Sequence, residues 1–337
     1  MTTLISAVIV FSLLIFFHEL GHFSVAKLVG VKVHEFAIGM GPKLLKHKKG
    51  ETTYSLRALP IGGFVMMEGE MEASDDEKAF NKKPIWARMA VFVAGAVMNF
   101  VLGFIIFVIL TLMQPVVTQP VIGELTPGLP AEKAGLLPGD RIIKLNDYKV
   151  HIQNDVRYFL DKNGDKPVDI TVLRNGEKLI YRIVPEYDPG YQSYMIGYTA
   201  KGVPKNLLNV PKNAFYQTVF YSKVIVKSLV DLVTGREALN QLSGPVGMVQ
   251  GIGTAARSGF ESVALLAAFI SINLGIFNLL PIPALDGSKI LFLLVAGIRR
   301  KPIDPEKEGI ITVIGFGFLI LLLIYATFND ILRITGH

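Results

Sequence analysis

Phe16 to Phe23 reads FFHELGHF and interrupts an apolar run that has no charged side chain from Met1 to Phe17. Histidine and glutamate are among the costliest residues to place in hydrocarbon, and ionisable groups inside a membrane mark functional sites by default. On a helix, His18 and His22 are four residues apart and share one face. Both imidazoles can then reach a single tetrahedral Zn²⁺, with Glu19 beside them to hold the water that such a metal acidifies. Zinc lowers the pKa of water to about 7, and Glu19 is placed to act as general base and hand the proton to a leaving amine. HExxH alone is weakly specific, so its surroundings decide. A polar cluster merely tying two helices together would need partners for two histidines and a carboxylate in hydrocarbon. One bound cation satisfies all three.

A catalytic zinc takes three protein ligands and leaves a fourth position open. Cysteine is absent, so the third ligand is His, Asp or Glu. No second acidic or histidine motif follows HELGH at the short distance that soluble zinc proteases use. Asp286, within NLLPIPALDGSK, is the only acidic residue inside the apolar stretch 263–298. Asp-Gly after two prolines reads locally as a turn. A lone carboxylate in an apolar segment needs a partner, however, and the zinc needs one more ligand. Pro281 and Pro283 break the helix and free Asp286 to turn inward.

These residues require membrane-spanning elements to carry them. Half of the 337 residues are hydrophobic, and they are concentrated in blocks. A span takes about 20 apolar residues. The expected organisation is a first transmembrane helix with HExxH (1–29), a membrane-associated β segment (30–70), a linker (71–88) and a second span (89–113). A compact extracytoplasmic domain (116–200) and a linker with an amphipathic interfacial helix (201–261) follow. A broken third span (262–298) and a fourth (308–329) complete the chain. Residues 1–17 lack a basic leader and a small-residue cleavage site, so they read as a retained helix. The net charge is +6, and lysines and arginines gather in the link between spans one and two (Lys32, Lys43, Lys46, Lys48, Lys49, Arg57, Lys78, Lys82, Lys83) and in the link between spans three and four (Arg299, Arg300, Lys301, Lys307). Under the positive-inside rule both links are cytoplasmic, and the termini and the 116–200 domain lie outside. Juxtamembrane cations explain the basic balance without nucleic acid. His18 then lies ~20 Å along the first helix, nearer the cytoplasmic face of a ~30 Å core.

The stretch 31–70 alternates apolar and polar residues between Gly-Pro and Gly-Gly punctuation, which predicts two or more short strands dipping toward the membrane. Asn99, in the centre of the second span, reads equally as an interhelical hydrogen bond or as a group near the reaction site. Residues 212–234 read as a helix along the interface, since their lysines oppose a span. Within 120–200, AxxAGLxxGDxIxxxN resembles PDZ domains of bacterial membrane proteases, carried by Ala131, Ala134, Gly135, Leu136, Gly139, Asp140, Ile142 and Asn146. Asn175-Gly176 between two alternating runs is a hairpin signal.

Taken together, HELGH at 18–22, IGMGP at 38–42, PIGGFVMM at 60–67, the PDZ pattern, LSGPVG at 242–247 and NLLPIPALDG at 278–287 resemble the site-2 protease family of intramembrane zinc metalloproteases, in its bacterial sigma-factor-regulating branch. That resemblance implies a polytopic α-helical membrane protein with four transmembrane helices, a membrane-associated β-hairpin and one inserted α+β PDZ domain. It implies zinc on His18, His22 and Asp286, with Glu19 as catalytic base and Asn278 contacting the substrate or ordering the site. Two departures stand out: Ser288 and Lys289 follow LDG where relatives often have Gly and His, and the second span reads AGAVMN where Gly-Pro often precedes the Asn. The substrates implied are single-pass membrane-anchored regulators of the anti-sigma-factor type, already trimmed outside the bacterial plasma membrane.

A helical substrate must unwind before its peptide bond is reachable. An exposed strand edge at Gly62, Gly63, Phe64 and Val65 could capture it by β-addition, or that segment is an ordinary hairpin with a protected edge. The PDZ domain would bind a new C-terminus or exclude untrimmed substrates. Two rivals remain: a non-catalytic membrane PDZ scaffold with a structural metal site, and an ordinary zinc protease on a membrane anchor.

Overall fold

A computed structural model describes residues 2–70, 72, 74–236, 243–301 and 303–335. Leu242, the first residue of the LSGPVG motif, lies outside the described residues. The chain forms two compact units, Met1–Ile106 with Ser222–His337, and Phe107–Tyr221.

In chain order, helix α1 (Thr2–Leu28) is followed by strands β1 (Val33–Lys49) and β2 (Thr52–Met67), then helix α2 (Ile85–Met113). Next come β3 (Val117–Leu125), α3 (Pro130–Lys133), β4 (Arg141–Leu145), β5 (Tyr148–Lys149), α4 (Gln153–Asn163), β6 (Val168–Arg174) and β7 (Glu177–Ile183). Strands β8 (Glu186–Asp188), β9 (Ser193–Met195) and β10 (Tyr198–Val203) lead to helices α5 (Asn209–Val233), α6 (Pro245–Ser258), α7 (Phe260–Leu279), α8 (Asp286–Arg299) and α9 (Pro305–Thr335).

Among the described residues four helices are long and apolar enough to cross a membrane: α1, α2, α7 and α9. The protein is a multi-pass membrane protein. On α9 the apolar side chains face outward, with Val313 71% exposed, which is where lipid replaces protein as the packing partner. α1 stops at Leu28, and Gly30 in the left-handed region lets Val31 N–H reach the Ala26 carbonyl at 2.8 Å, a glycine-terminated helix end.

The two or more strands expected here are two, β1 and β2, antiparallel and long rather than short. The glycines that read as breaks are bulges: Gly39, Gly41 and Gly62 take positive φ, and the pairing shifts register between Ile38 and Lys43. Extra residues absorbed this way bend a ladder without ending it. The end of this hairpin that carries Val33, Phe36, Val65 and Met67 packs into the core of α1, α2 and α8. Glu35 is buried in the sheet. Burial alone would raise its pKa, but Lys43, Ser55 and Arg57 all donate to the carboxylate and hold it down at about 2.

The glycine-rich stretch after residue 244 was expected only as a linker; it is helix α6, packed against α1 and α9. Its glycines permit close approach: a Cβ on Gly253 would meet Thr3, and one on Gly247 would meet the Asp330 carboxylate. Asp330 itself accepts from Gly247 N–H at 2.7 Å, satisfying one free donor of the helix start.

The second unit is α+β. Its sheet runs β10-β3-β4-β6-β7, with β5 on β4, around Ile122, Leu136, Ile142, Leu145, Ile170 and Val172, all nearly inaccessible. β6 and β7 join at Asn175-Gly176, both at positive φ, the two-residue hairpin that the sequence signals.

Candidate active site

The local fold of α1 delivers two imidazoles. His18 and His22 are one turn apart, with ring centroids 4.7 Å apart and planes perpendicular. α2 crosses α1 at this level with almost no space between backbones. A Cβ on Gly21 would collide with the Ala94 carbonyl, and one on Gly95 would strike His22 Nε2 and lie 2.7 Å from His18 Cε1. Small residues that let helices approach this closely are a membrane packing device. Here they press the second helix against both rings. The same approach brings the Val91 carbonyl to 2.8 Å from His22 Nδ1. A carbonyl only accepts, so Nδ1 carries the proton and Nε2 holds a lone pair.

Asp286 arrives from the break between α7 and α8. α7 ends at Leu279, and Leu280–Leu285 is non-helical, with Ala284 at positive φ. Gly287 lies so close to the Leu279 and Leu280 carbonyls that a Cβ there would collide with both. The Asp-Gly pair is therefore both a turn and a means of aiming the carboxylate. Asp286 Oδ2 lies 3.4 Å from His18 Nε2 and 3.3 Å from His22 Nε2, and the two Nε2 atoms are 3.2 Å apart.

That triangle fits a tetrahedral metal. Zinc bonds of about 2.0–2.1 Å imply ligand–ligand edges of about 3.3 Å, which all three separations match. Asp286 Oδ2 is also buried with no hydrogen-bond partner among the described residues. An unpaired buried acceptor of this kind costs about 1–3 kcal/mol. A cation removes that cost. His18, His22 and Asp286 also form a metal-competent cluster on donor type and spacing.

Two carboxamides stand behind His18. Asn99 Nδ2 is 3.3 Å and Asn278 Nδ2 3.5 Å from His18 Nδ1. Asn99 is fully buried, its main-chain carbonyl accepts from Ser271 Oγ at 2.8 Å, and its Oδ1 has no partner among the described residues. Half a turn of the carboxamide exchanges oxygen and nitrogen in the same volume. With oxygen toward the ring, Asn99 accepts from Nδ1–H, its orphan atom is satisfied, and His18 Nε2 keeps the lone pair a metal needs.

Glu19 lines a cavity of about 210 Å³ together with His18, His22, Asp286, Phe64 and Val65. A Cβ on Gly63 would lie 3.1 Å from Glu19 Cγ, so β2 runs directly past this carboxylate. Gly62 packs instead against Met40. The structure thus gathers His18, Glu19, His22, Asp286, Phe64 and Val65 around one space, with Gly63 against Glu19 and Asn278 behind His18, while it does not bring Gly62 to the cavity.

Sequence reasoning missed Lys289 and Glu70, which line the same cavity and pair at 3.4 Å. Lys289 also sits 5.0 Å over the Phe92 ring. The available signal was spacing, since Lys289 is three residues from Asp286 and shares its helix face. Gly21 and Gly95 were also unforeseen as packing residues.

Residues 6–322 match the model of peptidase family M50. A Clostridium acetobutylicum chain, named provisionally as a zinc metalloprotease, is 40% identical over 97% of this chain and 97% of its own length. The Bacillus subtilis regulator of sigma-W protease RasP is 34% identical, covering 98% of this chain and 99% of the relative. A zinc metalloprotease RasP from Geobacillus kaustophilus is 33% identical over 98% and 97%. With this match running through both HELGH and the LDG turn, the chain belongs to peptidase family M50.

Proposed function

We propose that the protein is an intramembrane zinc endopeptidase that cleaves transmembrane segments of membrane-anchored regulators. The observation that carries this reading is the triangle of His18 Nε2, His22 Nε2 and Asp286 Oδ2, closed to 3.2–3.4 Å around an acceptor without a donor among the described residues. In this reading His18, His22 and Asp286 hold zinc. When bound, zinc supplies Lewis acidity, acidifying water and polarising a carbonyl. Glu19 takes the proton of the attacking water on its carboxylate and delivers it to the leaving amine nitrogen. Asn99 and Asn278 fix the tautomer and plane of His18. Phe64, Val65 and Met67 keep the cavity apolar on the sheet side, while Lys289 and Glu70 make one side of it polar.

Substrate enters as a strand along Gly62–Val65. Unwinding a transmembrane helix leaves backbone groups unpaired in hydrocarbon, and a β edge passing Glu19 offers replacements. Gly63 supports this placement, because a larger residue would press on the Glu19 side chain. The α+β unit is a PDZ domain lying, with both termini, outside the plasma membrane of a bacterium, an orientation that the basic links support. Its sheet order and its Asp140 turn support that reading. The Bacillus relative is named for a sigma-factor regulator, and the substrate class here is the same: single-pass anchored regulators of the anti-sigma-factor type.

The test uses Glu19→Gln in the full chain, reconstituted with a transmembrane substrate. It should retain stoichiometric zinc while cleavage falls by about 10²–10⁴-fold, and it should co-purify from membranes with uncut partners. Turnover at the wild-type rate would remove Glu19 from its role. A zinc-loaded wild-type protein that binds partners but never cuts them would make it a scaffold.

A further inference from the structure

Within the second unit, a small cavity of about 50 Å³ opens between β3, β4, the start of α4 and the first turns of α5. Two permanent cations line it, Arg141 and Lys212, beside His151 and Tyr216 and with no carboxylate. Neither the Arg141 guanidinium nor the Lys212 ammonium is paired with a carboxylate among the described residues. The neighbouring acids are engaged elsewhere: Asp140, next to Arg141 in sequence, accepts from Arg174 and Leu137 N–H, and Asp155 accepts from His151 N–H, Ile152 N–H and the Tyr148 hydroxyl. His151 is stacked on Tyr216 at 4.4 Å with planes 8° apart, which holds its ring at the rim. Asn213 adds a donor, since its Oδ1 accepts from Thr111 Oγ1 at 3.3 Å and its NH₂ group remains for another acceptor. Cations converging without a counter-charge describe a site for an anion.

The surroundings say which anion. Thr111 and Leu112 belong to the last turn of α2, a membrane-spanning helix. Lys205 Nζ donates to the Leu112 carbonyl at 2.8 Å, capping a helix end where carbonyls lack partners. This fixes the 205–213 segment at the level where α2 leaves the membrane. At that level Leu207 is 94% exposed and Leu208 82%, and Phe215 projects from the next turn of α5. Adjacent exposed leucines beside unpaired cations at a span end match an acyl chain next to a phosphate. A free anion would use the cations and leave the leucines unexplained.

We infer that this cavity binds the headgroup phosphate of an anionic phospholipid, with Arg141, Lys212 and Asn213 on the phosphate and Leu207, Leu208 and Phe215 against its acyl chains. The lipid would hold the α+β unit at a set height on the membrane surface, since the cavity includes residues of β3, β4 and α5 together.

The experiment titrates the full-length protein, in neutral detergent, with dihexanoyl phosphatidylglycerol, dihexanoyl phosphatidylcholine and inorganic phosphate, by calorimetry. Phosphatidylglycerol should bind, and each removed cation should weaken it about fivefold, in Lys212→Gln and in Arg141→Gln. The pair Leu207→Ser and Leu208→Ser should weaken the lipid while leaving inorganic phosphate unchanged. Lys212 is exposed, so Lys212→Gln remains readable even if Arg141→Gln fails to fold. Wild-type affinity in Lys212→Gln would overturn the site. Equal binding of phosphatidylcholine would remove the role of charge, and phosphate binding as tightly as the lipid would remove the role of the leucines.

Discussion

Asp140 in the α+β unit and Asp286 in the membrane unit are carboxylates set in folded protein, and the fold treats them oppositely. Asp140 is 1% exposed and has every need met: Arg174 Nε and Nη2 each donate at 2.7 Å, and Leu137 N–H at 2.9 Å. Burial pushes its pKa up, but the guanidinium and the backbone N–H outweigh that and hold it below the usual carboxylate range. Asp286 Oδ2 is equally hidden from solvent and receives no hydrogen bond among the described residues, only two imidazole nitrogens aimed at it. The first aspartate completes a structure. The second is left incomplete by its structure, and such incompleteness is how a fold keeps a place for a ligand.

Exchanging the two aspartates experimentally gives the largest effects. Asp286→Ala should reduce zinc content to background and abolish cleavage, while the thermal transition of the α+β unit stays where it was. Asp140→Ala should do the reverse. It leaves the Arg174 guanidinium and the Leu137 N–H without their acceptor, so that unit should melt early while zinc stays bound. Metal analysis beside calorimetry separates the two outcomes. If Asp286→Ala kept its zinc, the anchored soluble-type protease would replace the intramembrane one.

Next in size is Gly95→Ala. The added methyl would land on His22 Nε2, with the Ala94–Gly95 backbone already against Gly21. Overpacking costs about 1–3 kcal/mol, and here the strain falls on His22, one of the three residues proposed to hold zinc. Zinc affinity should drop sharply with little change in the α+β unit. A Gly128→Ala control, on an exposed turn of that unit with nothing near its Cβ position, should leave zinc untouched despite the strain of its positive φ.

The contrast between the two aspartates also marks what the sequence could disclose. Asp286 was legible because an acid inside an apolar run has no bland explanation, and HELGH was legible for the same reason. The hairpin at Asn175-Gly176 and the four spans follow from local chemistry, in turn type and apolar length. What escaped depends on which backbones approach. Nothing near Arg174 in sequence points to Asp140, 34 residues away. Gly21 and Gly95 are ordinary small residues until two helices meet there. The bulged continuity of β1 and β2 was hidden because a positive-φ glycine ends one strand and merely bends another. α6 was hidden by its glycines, which lower helix propensity but serve its packing on α1 and α9. Asn99 remained undecided because its meaning depends on His18, 81 residues earlier in the chain.

Asn99→Ala sharpens the comparison further. Asn99 stands to His18 as Arg174 stands to Asp140, a supporting group one step from the side chain that matters. Removing such a group behind a metal ligand costs about 10–100-fold in metal affinity. Zinc competition with a chelator should show that loss for Asn99→Ala, with Asn99→Asp recovering much of it, since an acid accepts from Nδ1–H as well as an amide oxygen does. Equal affinities for wild type and Asn99→Ala would reduce Asn99 to helix packing.

The smallest effect is a pH dependence confined to the α+β unit. Asp140 has a folded pKa below its unfolded value of about 3.9. The unfolded chain therefore binds more protons as pH falls, and the stability from Asp140 is fully present above that value and lost as pH drops through the folded one. The melting difference between wild type and Asp140→Asn should be constant from pH 7 to about pH 5, then narrow below about pH 4. The membrane site responds in another window, because its ligands must be deprotonated to hold metal and imidazoles protonate well above pH 4. Lowering the pH from neutral should therefore release zinc first and weaken the α+β unit second. Were the gap between wild type and Asp140→Asn to close already at pH 6, together with zinc release, the Arg174 pair would depend on the metal site, and the two aspartates would not be independent.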